Sequence, residues 1–134
     1  MAHWLLKTEP DEFSFDQLRA AGARGETWDG IRNHQAANYL RAMRKGDTAF
    51  VYHTGKEKRI VGVAEVLREA FADAQDESGR FVAVTVRARE ALASPVTLAA
   101  IKAEPRLADF VLLRQGRLSV MPVSAAQWKL ILAL

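Results

Sequence analysis

The sequence predicts a mixed α/β (α+β) fold, a small and partly open antiparallel β barrel surrounded by short helices, and three observations carry that prediction. Strand signals cluster in the middle of the chain, at Thr48–His53, Arg59–Ala70 and Phe81–Arg89, joined by the turns Thr54–Lys58 and Asp73–Gly79. Strands joined so closely pair antiparallel, because a parallel crossover needs about a dozen residues or more. Helical signals flank this block on both sides. Finally, 134 residues with 49% hydrophobic content can bury one core, and no repeat, low-complexity stretch or linker divides them, so one domain over residues 1–134 is expected.

Each element follows from local chemistry. Trp4–Thr8 reads as a first strand stopped by Pro10. Ser14 and Gln17 stand at capping-box spacing, so a helix from Phe15 to Ala21 follows, ended by Gly22. Asn33 is a good N-cap, and Ala36, Ala37, Leu40 and Met43 recur at helical spacing, giving a second helix over His34–Arg44 before Lys45-Gly46-Asp47 breaks it. Pro95 and Thr97 open a short helix through Lys102, Pro105 begins a turn or further helical segment, and Leu118–Met121 forms a last strand. Ser124 and Gln127 repeat the capping-box spacing and start a terminal helix.

Composition excludes several classes. With no cysteine there are no disulfides, thiol nucleophiles or thiolate zinc sites. His3, His34 and His53 stand at no metal-ligand spacing, and neither a metal nor a cofactor is expected. Leu130–Leu134 is far shorter than the roughly 18 apolar residues of a membrane span. Lys7 and Glu9 come too early for a signal peptide, so a cytoplasmic monomer without a membrane partner is the expectation. The formal charge of +3 favours an anionic partner without demanding one.

Four segments carry a family resemblance: Trp4–Pro10, Trp28–Ala36 (Trp-Asp-Gly-Ile-Arg-Asn-His-Gln-Ala), Gly46-Asp47 through Phe50–His53, and Arg117–Val123. In this order the chain resembles the EVE domain, departing from the common pattern at Thr54-Gly55, where Ser-Asn is frequent, and at Ile31, where Val is commoner. The resemblance implies a PUA-like pseudobarrel related to the YTH readers of methylated RNA. It also implies a pocket for a flipped, modified base, such as a modified cytosine in DNA or a modified RNA base, hence a nucleic-acid partner and no catalysis.

The residues suit that role, each with an ordinary structural reading beside it. Trp28 offers a flat face on which a base can stack, or else belongs to the core; Trp4 and Trp128, at strand and helix spacing from Leu6 and Ile131, are expected in the core. Gly30, lacking Cβ, permits close approach of chain or ligand. Arg32 can meet a phosphate or hold a carboxylate such as Glu9. Asn33 and Gln35 can select a base by hydrogen bonds, although capping alone explains Asn33. Lys7, Thr8 and Glu9 end a strand where polar groups often serve a site. Tyr52 and His53 point to opposite faces under strict alternation, unless a bulge brings both to one rim. Arg117 and Ser119 share a strand face and could reach a phosphate and a base edge. Arg41, Arg44, Lys45, Lys56, Lys58 and Arg59 either frame the pocket mouth or form a solvated surface. Two other functions stay open: a nucleobase- or nucleotide-acting enzyme using His53 and Glu9 as acid and base, and a small-molecule-sensing interaction domain.

Overall fold

Both capping boxes form, and they set the entry angles of the first and last helices. In the computed structural model, which describes residues 1–134, Ser14 accepts from the Gln17 N–H while the Gln17 side chain accepts from the Ser14 N–H, and Ser124 and Gln127 do the same. The helices are α1 (Phe15–Ala20), α2 (His34–Ala42), α3 (Leu98–Lys102), α4 (Val111–Arg114) and α5 (Ala125–Leu132). α2 ends two residues before the expected Arg44, with Met43 leaving helical geometry so that its side chain is fully buried. No helix is long and apolar enough to cross a membrane.

Six strands form one sheet: β1 (His3–Thr8), β2 (Glu26–Trp28), β3 (Thr48–His53), β4 (Arg59–Ala72), β5 (Val82–Thr97) and β6 (Val120–Val123), in the order β2-β5-β4-β3-β1-β6. All neighbours are antiparallel except β1 and β3, whose connection contains α1, β2 and α2 and is long enough for a parallel crossover. Every residue of β3 is buried, as befits a central strand covered on both faces. Register shifts recur along β4 and β5, and each adds local bend and twist, so the long pair coils instead of lying flat. A continuous cluster of 31 buried residues draws on all six strands, with α2 packed across β4, β5 and β6.

β5 runs through Pro95 to Thr97, where a helix was expected to open at Pro95. The ladder jumps from Ala91 to Val96 between Gly62 and Ile60, so Pro95 sits in the bulged stretch, where a missing N–H costs no pairing. The helix starts after Thr97, whose side chain accepts from the Ala100 N–H. β6 begins two residues later than the expected Leu118 and tolerates Pro122 because it is an edge strand.

β2 was not anticipated, and Gly25 makes it possible. Gly25 has φ +69°, and a Cβ there would lie 2.2 Å from the Val86 carbonyl oxygen, directly beside the Glu26–Val86 pair that begins the β2–β5 ladder. We therefore expect Gly25→Ala to cost at least about 2 kcal/mol, from left-handed strain plus a backbone clash. Hydrogen exchange should show faster exchange confined first to Glu26–Trp28; an unaltered exchange pattern and melting temperature would contradict this.

Candidate functional site

The two ends of the sheet face one another across a cleft of about 680 Å³. From one end come Glu26, Thr27 and Trp28 of β2 with Asp29, Gly30 and Ile31 after it; from the other come Lys7 and Thr8 of β1, then Glu9, Glu12 and Phe13, with Ser119 just before β6. The cleft is thus the seam that the curled sheet leaves unclosed.

Local bonds shape its walls. The Thr8 hydroxyl donates to the Phe13 carbonyl at 2.7 Å, and the N–H groups of Glu12 and Phe13 donate to the Glu9 carbonyl. The Pro10 turn is thereby folded back, bringing the Phe13 ring edge-on to Trp28, with centroids 5.8 Å apart and planes at 82°. Trp28 is 7% exposed, so it is at once a core residue and a cleft wall; Phe13 is half-buried. Phe13, Trp28 and Ile31 are the apolar lining, and the charged lining is four carboxylates, Glu9, Glu12, Glu26 and Asp29, against the single ammonium of Lys7. No group of three or more His, Asp or Glu side chains converges so as to hold a metal ion.

The turn that carries Gly30 is pinned from beneath by Asp73, whose side chain is fully buried. Its carboxylate accepts from the Gly30 N–H at 2.9 Å, from Arg32 Nη1 at 2.9 Å and from the Gln75 N–H at 2.8 Å. Burial pushes the Asp73 pKa up, but these hydrogen bonds outweigh it and hold the group below the usual carboxylate range. A Cβ on Gly30 would meet nothing within 4 Å; what calls for glycine is its φ of +77°, not a close approach.

Of the residues expected at a site, Lys7, Thr8, Glu9, Trp28, Gly30 and Ser119 line this cleft. Arg32 does not, and its ion-pair partner is Asp73, not Glu9. Asn33 spends its side-chain oxygen on capping α2, accepting from the Ala36 N–H at 2.9 Å. Gln35 lies exposed on α2 within reach of the Tyr39 hydroxyl, and Arg117 is exposed outside the cleft.

Tyr52 and His53 point to opposite sides of β3 despite a register shift between Val51 and Tyr52, so alternation prevails over the bulge. Tyr52 lines a second cavity of about 210 Å³. His53 lines another on the opposite face, where its Nε2 accepts from the Phe15 N–H at 3.0 Å and its Nδ1 meets Glu57 Oε1 at 2.9 Å. An Nε2 that accepts leaves the proton on Nδ1, which donates to Glu57, so both ring nitrogens are committed. His53 and Glu9 line different cavities and are not an acid–base pair.

Glu12, Phe13, Glu26, Thr27, Asp29 and Ile31 complete the lining, and none of them was among the site residues expected from sequence. Recognition of β2 as a strand ending at Trp28 would have found the residues flanking it. Phe13 has no such signal, because only the hydrogen-bonded Pro10 turn places it.

A family model for the EVE domain matches residues 2–134. Thymocyte nuclear protein 1 of Homo sapiens is 29% identical over 165 residues, covering 99% of this chain and 73% of that protein. The NMR structure of a Rhodopseudomonas palustris protein is 54% identical with a TM-score of 0.94, covering 99% of this chain and 92% of that one. The crystal structure of the human THYN1 protein in complex with DNA containing 5-methylcytosine is 29% identical with a TM-score of 0.94, covering 99% of this chain and 96% of that one.

Proposed function

The chain belongs to the EVE domain family, and from that premise we propose that it is a non-catalytic module that binds nucleic acid by taking a modified cytosine, flipped out of DNA, into the cleft between the sheet ends. The carrying observation is the lining of that cleft, in which an aromatic and apolar wall of Phe13, Trp28 and Ile31 faces carboxylate acceptors. A flipped base loses stacking and pairing, and its host must replace both. Aromatic rings replace the stacking at about 1 to 3 kcal/mol per base. Carboxylates suit cytosine because its exocyclic N4 amine is a donor, and Asp or Glu accepts from it. A 5-methyl group adds an apolar edge for the wall. The human relative of the same fold, solved with 5-methylcytosine-containing DNA, supports the choice of ligand.

Binding suits this cleft better than catalysis, since His53, the residue with the most suitable chemistry, lines another cavity with both nitrogens engaged. Amide chemical shifts recorded during titration with a 5-methylcytosine oligonucleotide, as DNA and as RNA, test the placement. Perturbation centred on Phe13 and Trp28–Ile31, larger for the DNA, is expected. Shifts confined to other surfaces, or none with either probe, would refute it.

A further inference from the structure

The second cavity shares one wall with the first, the Lys7 side chain, yet its charge is opposite. Lys7, Tyr52, Thr54, Gly55, Lys58, Leu98, Leu112 and Gly116 line it, two lysines and no carboxylate, whereas the neighbouring cleft holds four carboxylates and one lysine. The sole carboxylate of the intervening loop, Glu57, is turned to the opposite face, where it meets His53 and Arg59. Neither Lys7 nor Lys58 takes part in an ion pair. Lys7 Nζ instead donates to the Gly116 carbonyl at 2.7 Å and lies 5.8 Å from the Tyr52 ring centroid, with two donor positions to spare.

The loop is held in an unusual shape to present these groups. Lys58 has φ +46° and is the one non-glycine residue of the chain in the left-handed region; Gly55 follows the same hand at +73°. The Lys58 carbonyl accepts from the Leu98 N–H at 2.8 Å, which fixes the strained residue against the start of α3. A non-glycine residue is strained in the left-handed region and persists there where the surroundings over-determine it.

We propose that this second cavity is a phosphate site: Lys7 and Lys58 receive a backbone phosphodiester next to the base held in the first cleft. The acidic cleft repels a phosphate and accepts the donor edge of a base, while the basic cavity does the reverse. Two adjoining cavities of opposite charge therefore fix which way a strand lies across the seam. The proposal rests on the base-binding reading above.

The test titrates wild type and Lys58→Gly with a 5-methylcytosine oligonucleotide across a range of salt. Glycine accepts φ +46° without strain, so the variant loses the ammonium and keeps the backbone. One phosphate contact fewer should make the slope of log K against log salt shallower by about one, with affinity severalfold weaker at low salt. A methylphosphonate placed at one of the two phosphates flanking the modified base should weaken wild type by the same factor and leave Lys58→Gly unaffected. The free nucleoside 5-methylcytidine should bind both proteins alike.

Equal slopes and affinities for the two proteins would overturn the proposal. If wild type binds neither oligonucleotide nor nucleoside, the base-binding reading fails, and the cavity is then judged by the Thr54, Gly55 and Lys58 amide shifts with unmodified single-stranded DNA and with inorganic phosphate. A shift caused by DNA and lost in Lys58→Gly sustains the phosphodiester site; a shift with inorganic phosphate alone, or with neither, overturns it.

Discussion

Trp28→Ala should weaken binding of a 5-methylcytosine oligonucleotide by roughly ten- to a hundredfold, the equivalent of one stacked base, and should also lower stability by about 4 kcal/mol. Both losses follow from one side chain that is 7% exposed, set edge-on to Phe13, and part of the cleft lining. A ring this buried leaves a cavity when removed. Binding is therefore separated from stability at Phe13, which is half-buried. Phe13→Leu retains most of the packing volume and loses the flat face, so it should weaken binding severalfold with a stability cost under about 1.5 kcal/mol. Calorimetric unfolding alongside titration measures both quantities, and a folded Phe13→Leu/Trp28→Ala pair with undiminished affinity would remove the aromatic wall from the mechanism.

Asp47→Ala should be the most damaging polar substitution, at about 3 kcal/mol, because donors buried beside it lose their acceptor. Asp47 is 4% exposed, and its carboxylate accepts from the Trp4 indole N–H at 3.0 Å, the Arg44 N–H at 2.9 Å and the Ala2 N–H at 3.0 Å. These bonds staple the start of β1 to the turn before β3. Trp4, itself 6% exposed, depends on the same acceptor, so Trp4→Ala should cost a comparable 3 to 5 kcal/mol, roughly the range of buried aromatic truncations. Asp47→Asn retains an oxygen for two of the donors and should cost about 1 kcal/mol.

The same carboxylates make the fold acid-sensitive. Burial pushes the Asp47 pKa up, but the hydrogen bonds from Trp4, Arg44 and Ala2 prevail and hold it low; Asp73 is held low in the same way, and hydrogen bonds from Ser78 and Phe81 hold Asp76 at about 2. A carboxylate whose folded pKa lies below its unfolded value, about 3.9, stabilises the fold above that pH and loses the contribution as pH falls through the folded value. The contribution of these three carboxylates should accordingly be constant above about pH 5 and decline from about pH 4 toward 2. Urea midpoints across that range measure it, and the decline should be shallower in Asp47→Ala; equal slopes in variant and parent would show that Asp47 does not contribute.

The sequence revealed elements whose signals are local. Ser14 with Gln17, Ser124 with Gln127, and Asn33 each announced a helix start through one side chain and one backbone N–H, and each cap forms. It was silent where the cause is non-local. β2 is three residues long, too short for any periodicity, and exists because Gly25 lets it approach Val86. Pro95 looked like a helix opener because nothing in its neighbourhood discloses the bulge opposite Gly62 and Ile60 that accommodates it.

For the candidate site the division is similar. Lys7–Glu9 and the Trp28–Gly30 turn, distant in sequence, do meet across the seam. Arg32 and Asn33 stand beside that turn and help to build it, Arg32 through its Nη1 on Asp73 and Asn33 through its side-chain oxygen at the α2 cap. Asp73 lies 41 positions from Arg32, and its role is invisible without the fold.

Whether the seam cleft receives a modified cytosine is decided by wild-type affinity for two DNA duplexes of identical sequence, one with a single cytosine methylated at C5. In the proposed site stacking and N4 contacts would be common to both duplexes, and the methyl group would be the one difference, an added apolar edge against the wall of Phe13, Trp28 and Ile31. Burying one methyl is worth about 0.8 kcal/mol, so the methylated duplex should bind at least about fourfold more tightly, with the preference lost in Trp28→Ala. Equal affinity for the two duplexes, or no measurable binding to either, would contradict the account.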